Sequence, residues 1–195
     1  MEVIKLGQKA VNRTAGIIKN GGVVIFPTDT VYGFLADAGN KKAVEKIFKI
    51  KKRARSKPLP VFVKDIKAAK ELAEITKDQE KILKKHWPGK YTFILKLKAS
   101  KNLSKLVIGK NNTIGIRIPK YKFLNDLLKK INKPLAQTSV NISGKPEIKK
   151  IKEIIAKFAD NKNKPDLIID GGDLLKSKPS KIIDLSVKNK KVLRG

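Results

Sequence analysis

No apolar run in this chain is longer than four residues, and the longest, VVIF at 23–26, is stopped at once by Pro27. Runs of this length cannot span a bilayer, which needs about 20 apolar residues in a helix. The core must therefore be assembled from many short elements. VVIF reads as a buried strand, and LPVFV (59–63), YTFILKL (91–97), TIGIRIP (113–119), PLAQTSV (134–140), DLIID (166–170), KIIDL (181–185) and KVL (191–193) read as further strands. In YTFILKL the apolar residues alternate, which predicts one wet face. Helices fall between them. Residues 8–20 end at Gly21-Gly22. Asn40 caps a helix to about Lys52 with Ala43, Val44, Ile47 and Phe48 on one face. Thr76 with Gln79 forms a capping box for a helix ending at His86. Further helices are read at 121–132 and 147–160. Strands and helices thus mix throughout, which predicts an α/β or α+β domain with a mixed sheet spanning residues 1–195.

At 195 residues and 41% apolar composition the chain is long enough and greasy enough to bury a core. It has no cysteine and a single histidine, His86, which excludes disulfides, thiolate zinc sites, a cysteine nucleophile and multi-histidine metal sites. The N-terminus lacks an apolar signal-peptide region, so a cytoplasmic location is expected. The net charge of +29 favours polyanions. Most of that charge is lysine spread along every segment, as a compositional bias toward Lys, Ile and Asn would give. The five arginines, Arg13, Arg53, Arg55, Arg117 and Arg194, are more informative, because bidentate recognition of carboxylate or phosphate needs a planar fork.

Polar groups gather at strand ends: PTDTVYG (27–33) after VVIF, Arg117 in TIGIRIP, QTSVNISG after PLA, and KPSK before IIDL. Ligands in open α/β sheets bind in crevices at strand ends. Each segment also has a plain structural reading. PTDTVYG can be a turn in which Pro27 stops the strand and Asp29 satisfies backbone donors, and the small-residue end of the stretch, FLADA, reads as a turn as well. TSVNISG can be an ordinary Ser/Asn turn, KKRARSK a solvated charge run or a generic nucleic-acid patch, and a lone strand arginine such as Arg117 is usually exposed. No GxxxxGK[ST] and no GxGxxG after the first strand occur, so P-loop and dinucleotide fingerprints are absent. The candidate site groups are hydroxyls, amides and cations. Such a set binds anions and small zwitterions, and suits chemistry in which the protein positions and neutralises.

Taken together and in this order, the segments resemble the threonylcarbamoyl-AMP synthase family (the YrdC-type domain). They are GGVVIFPTDTVYGFLADA, Lys51-x-Arg53, KPL at 57–59, WPG at 87–89 with TFIL, TIGIRIP, Ser139-x-Asn141-x-Ser143-Gly144-x-Pro146, and IIDGG…PSKIIDL…LRG. The resemblance implies a twisted open α/β sheet of parallel and antiparallel strands with a basic concave cavity. It implies synthesis of threonylcarbamoyl-adenylate from L-threonine, bicarbonate and ATP, with pyrophosphate released and a divalent cation, normally Mg²⁺, taking part. The product would feed the t6A modification of tRNA through a downstream transfer machinery, and tRNA or double-stranded RNA is implied as a further partner. By motif, Thr30, Tyr32, Arg117, Ser139 and Ser180 would contact threonine. Lys51 and Arg53 would be catalytic and face the ATP phosphates, and Lys57, Thr113, Asn141 and Arg194 would contact the nucleotide. Ser180-Lys181 stands where the family has Ser-Thr, and the histidine and threonine that some members carry near Phe62 and Lys149 are missing. The chain stops at Gly195, so the short form without an extra C-terminal domain is expected. The alternative is an RNA-binding module of the same fold without catalysis. Carbamoyl-phosphate chemistry of the hydrogenase-maturation type ranks lower, because its relatives carry zinc-finger regions and this chain has no cysteine.

Overall fold

A computed structural model describes residues 1–98, 102–159, 161–176, 178–187 and 190–194. In chain order the elements are β1 (Glu2–Lys5), α1 (Gln8–Lys19), β2 (Val24–Phe26), β3 (Gly33–Asp37), α2 (Lys41–Lys51), β4 (Val61–Phe62), α3 (Ile66–Leu72), β5 (Ala73–Glu74) and α4 (Lys77–His86). They continue with β6 (Tyr91–Leu97), a 3₁₀ turn at Lys105–Val107, β7 (Ile108–Gly109), β8 (Thr113–Arg117), α5 (Lys122–Ile131), β9 (Leu135–Ser139), α6 (Ile151–Ala159), β10 (Leu167–Asp170), β11 (Lys181–Asp184) and β12 (Lys191–Arg194). The strands form one mixed sheet in the order β1-β10-β2-β3-β9-β4-β8-β6-β11-β12, with β5 beside β6 and β7 beside β8. β1, β10 and β2 run parallel, as do β4 with β8 and β6 with β11; β2–β3–β9–β4 alternate in direction.

Two apolar clusters flank the sheet, and strand alternation sorts residues between them. Val23, Ile25, Phe34 and Ala36 join α2, α3, α4 and α6 in the larger cluster. Val24, Phe26 and Leu35 face α1 and α5 in the smaller one, with Leu124, Leu127 and Leu128 from α5. VVIF is an unbroken apolar run because both its faces are covered. The smaller cluster ends at Phe62 of β4, and no residue of β6, β8 or β11 belongs to it. On those strands the larger cluster takes Phe93, Leu95, Ile114, Ile116 and Ile183. Their alternate residues, Thr92, Ile94, Gly115, Arg117 and Ile182, line cavities instead. The wet face predicted for YTFILKL is this one.

The local signals explain the helix limits. Asn40 accepts from the Ala43 N–H at the start of α2, and Thr76 and Gln79 close both halves of the capping box on α4. The helix read over 147–160 is shorter, Ile151–Ala159, and residue 160 lies outside the described residues, as does Gly195. Several elements were not legible in the sequence. Most of FLADA belongs to the strand β3, GFLAD, and not to a turn: the strand is entirely buried. β1, α3, β5, β7 and the 3₁₀ turn also went unread. No helix among the described residues is long and apolar enough to cross a membrane.

Candidate active site

Pro27 ends β2, since it has no N–H to offer a ladder. The loop that follows satisfies itself. Thr28 Oγ1 donates to Val31 O at 2.7 Å, accepts the Thr30 N–H at 3.0 Å, and lies 2.9 Å from Thr30 Oγ1. Arg117, at the end of β8, reaches across to this loop. Its Nη1 donates to Thr30 Oγ1 at 3.0 Å, its Nη2 to Asp29 Oδ1 at 2.5 Å and its Nε to Gly89 O at 2.9 Å. The guanidinium also lies 5.5 Å from the Phe62 ring centroid. A strand arginine is usually exposed, yet Arg117 is 2% exposed. Burial pulls its pKa below the ordinary value, and the Asp29 carboxylate opposes that pull. Asp29 in turn accepts the Lys120 N–H at 3.0 Å, so the pair is fixed from both sides.

A chamber of about 130 Å³ opens over this pair, walled by Thr30, Arg117, Ser139, Ser180, Arg53 and Arg194. That is well below the roughly 300–1,000 Å³ of pockets for drug-sized ligands and suits a molecule the size of an amino acid. Ser180 Oγ is 3.0 Å from Thr92 Oγ1 and accepts from Arg194 Nη2 at 3.2 Å, while Arg194 Nε donates to Ser180 O. Arg194 is therefore anchored at the edge strand β12. Of the three guanidiniums only Arg117 is paired with a carboxylate among the described residues. Burial lowers the pKa of Arg53 and Arg194 too. Both remain cations, since arginine does not lose its proton in proteins.

A second chamber of about 140 Å³ adjoins the first and shares Arg53, Pro60, Thr92 and Ile182 with it. Its walls are mainly apolar: Pro58, Leu59, Ile94, Val107 and Gly115, with Thr113 at one side. Thr113 Oγ1 donates to Lys110 O. Arg53 stands between the chambers because Lys52 ends α2 in the left-handed conformation, at φ 50°, and turns the chain back. Arg53 is then braced by Lys57 O at 2.8 Å and Pro58 O at 3.2 Å.

Seven of the residues singled out from the sequence thus line the two chambers: Thr30, Arg53, Thr113, Arg117, Ser139, Ser180 and Arg194. Four do not. The Lys57 side chain is exposed, and only its backbone carbonyl serves the site. The Tyr32 hydroxyl donates to Gly172 O at 2.7 Å and accepts from the Gly171 N–H at 2.9 Å, so it buttresses the loop from behind; burial first of all pushes its pKa up to about 12. Lys51 and Asn141 hold one another. Lys51 Nζ donates to Ser139 O, Asn141 O and Asn141 Oδ1 at 2.5–2.9 Å, and Asn141 Nδ2 donates to Lys145 O. Desolvation, then the nearby Arg53 charge, pulls Lys51 down to about 7, with Glu147 opposing. The three oxygens also oppose it, because a neutral amine has only two N–H groups for three acceptors. Thr92 and Gln137 line the first chamber and were not singled out. Strand alternation could have found Thr92, which shares a face with Ile94.

Among the described residues no three His, Asp or Glu side chains cluster to hold a metal ion. The charged groups that line the chamber are guanidiniums, and the carboxylate beside them, Asp29, is already bound to Arg117. This donor set does not fit a protein-held divalent cation.

A mixed open sheet that carries an arginine-lined, amino-acid-sized chamber beside an apolar one defines an open-sheet α/β protein with two adjoining cavities. The chain belongs to the Sua5/YciO/YrdC family, whose model, described as telomere recombination, matches residues 16–195. It is 34% identical over 173 residues to the threonylcarbamoyl-AMP synthase of Pyrococcus abyssi, covering 88% of this chain and 49% of that protein. It is 39% identical over 168 residues to a putative threonylcarbamoyl-AMP synthase of Methanocaldococcus jannaschii, covering 86% of this chain and 76% of that protein. Among solved structures, P. abyssi Sua5 complexed with L-threonine superimposes with a TM-score of 0.87 at 31% identity, over 99% of this chain and 56% of that one. E. coli YciO gives a TM-score of 0.86 at 27% identity, over 99% of this chain and 92% of its own. The chain thus spans about half the length of the Pyrococcus relative.

Proposed function

We propose that this chain is an L-threonylcarbamoyladenylate synthase, joining L-threonine, bicarbonate and ATP into threonylcarbamoyl-AMP with release of pyrophosphate. The observation that carries the reading is the meeting of Thr30, Arg117, Ser139 and Ser180 in one amino-acid-sized chamber that shares Arg53 with an apolar chamber. A relative of the same fold holds L-threonine. In this reading threonine occupies the polar chamber, with its carboxylate toward the guanidiniums. The adenosine part of ATP occupies the apolar chamber, against Pro58, Gly115 and Thr113.

The amine and bicarbonate condense to a carbamate, losing water. The carbamate oxygen is already anionic, so its attack on the α-phosphorus needs no strong general base, in keeping with a chain that has one histidine. As the new P–O bond forms and pyrophosphate leaves, Arg53 at the junction and Arg194 at the rim offset the phosphate charge. Mg²⁺, which family activity normally uses, would arrive on the ATP phosphates, as it commonly does when a site lacks its own carboxylate cage. Lys51 acts at one remove, holding the segment that presents Ser139. The product would serve tRNA t6A modification in the cytoplasm.

The test is pyrophosphate release from ATP, with threonine plus bicarbonate, with either omitted, and with valine in place of threonine. Release that needs both and fails with valine supports the synthase, since groups that bond the threonine hydroxyl would be left unpaired by valine. No release under any condition, with RNA binding that falls steeply with salt, would replace it with an RNA-binding module drawing on the +29 charge.

A further inference from the structure

The hydroxyl groups around the polar chamber can be assigned their protons by counting. Thr28 has one proton, and it lies on the 2.7 Å contact to Val31 O; without it two oxygens would face each other unbridged. Thr28 Oγ1 therefore only accepts from Thr30, taking both its N–H and its O–H. Thr30 Oγ1, its proton spent, accepts from Arg117 and keeps one lone pair for the chamber. Ser139 shows the same pattern. Lys51, a donor, and Lys145 O, an acceptor, fix which end of the Asn141 amide is oxygen. Ser139 must then donate to Asn141 Oδ1 at 3.0 Å, which again leaves only lone pairs for a ligand.

We propose that Thr28 and Asn141, neither of which lines the chamber, set the hydrogen-bond polarity of Thr30 and Ser139, so that this wall accepts and does not donate. The ligand group against it is then an N–H donor, and in the synthase reading, on which this inference rests, that group is the threonine amine. Two N–H bonds to the wall would aim the nitrogen lone pair away from it, toward the side where the carbamate must form. Thr28 is a positioning residue: it touches no ligand and acts through Thr30.

The test compares two ligands that differ at one group, L-2-aminobutyrate and 2-oxobutyrate, by calorimetric titration of the full chain, with L-threonine as the reference. Replacing Thr28 by Val frees the Thr30 hydroxyl to turn and donate. The preference for the amino over the oxo ligand should fall about tenfold, the scale of one hydrogen bond to a charged group. Thr28→Ser keeps the proton count and should keep the wild-type preference. Thr28→Ala removes the same hydroxyl with less bulk and should repeat the fall if the Val variant does not fold. An equal loss for both ligands, or an unchanged ratio, overturns the polarity assignment while leaving the synthase reading intact. Wild-type protein that binds none of the three ligands overturns both.

Discussion

One face of the sheet is divided into two unlike halves. Over β2, β3 and β10 it is paved by α1 and α5, and the residues beneath, Val24, Phe26, Leu35, Leu167 and Ile169, are fully buried. Over β8, β6 and β11 no helix of that layer reaches, and the equivalent positions hold Thr92, Ile94, Gly115, Arg117 and Ile182. The same pleat and the same alternation yield a core in one half and a cavity floor in the other. The difference is where the covering helices stop, and the composition of the exposed positions follows from it. Each half should therefore fail in its own way when altered.

The largest effect on stability is expected on the paved half. Phe26→Ala removes a fully buried ring beneath that helix layer and should cost about 3–5 kcal/mol in denaturant unfolding. The KM for threonine in whatever protein remains folded should be unchanged. A shifted KM would mean that the halves are mechanically linked and would break the comparison.

Arg117→Ala is expected to fail on both counts, because this residue stands where the halves meet, over Phe62 of the paved layer. It leaves Asp29, whose side chain is 7% exposed, without its counter-charge, and removing one member of a buried pair costs about 3–5 kcal/mol. Activity should fall further than unfolding explains. The double variant Asp29→Asn/Arg117→Ala separates the two. It should recover part of the stability and none of the activity. Recovery of pyrophosphate release in the double variant would remove Arg117 from the binding site.

Lys51 sharpens the comparison from the opposite face, since it supports the bare half from below through Ser139 and Asn141. Its folded pKa of about 7 lies below the ordinary lysine value of 10.5. Between those values the unfolded chain binds the extra proton, so stability rises with pH across that window and the burden of the buried ammonium is full below about 7. The slope has a ceiling of about 1.4 kcal/mol per pH unit. The three acceptor oxygens should keep it well under that. Lys51→Met should lose this slope. A wild-type protein whose stability, relative to Lys51→Met, is flat from pH 7 to 10 would show that the ammonium persists.

What the sequence made legible follows the same division. Capped helices and strands with a plain apolar pattern could be read locally: Asn40, Thr76 with Gln79, the unbroken VVIF and the alternating YTFILKL each carry a signal within a few residues. The arginine at 117 was misjudged in isolation, because its burial depends on Asp29, 88 positions away, and on Phe62. FLADA looked like a turn because its small residues report a strand covered on both sides, which only the assembled sheet reveals. Motif resemblance picked out Thr30, Arg53, Ser139, Ser180 and Arg194, which meet at one chamber. It did not separate groups that face the chamber from those that hold them, as Tyr32, Lys51 and Asn141 do. That distinction lies in hydrogen-bond partners far apart in sequence.

The smallest expected effect tests the bare half most directly. Gly115 lies in the floor of the apolar chamber, on the face of β8 that carries Arg117. A Cβ added there would meet Pro60 Cβ at 3.0 Å and Thr92 Cγ2 at 3.6 Å. The backbone is ordinary for a strand, so Gly115→Ala carries no conformational penalty, and the first contact asks Pro60 to give by a few tenths of an ångström. Stability should change by less than about 1 kcal/mol, as for substitutions outside a packed core. The methyl group takes space from the chamber assigned to adenosine and nudges Pro60, which borders both chambers. The KM for ATP should rise several-fold and that for threonine much less. If the two rise together, the chambers act as one ligand pocket, and the division of the floor into an amino-acid side and a nucleotide side does not hold.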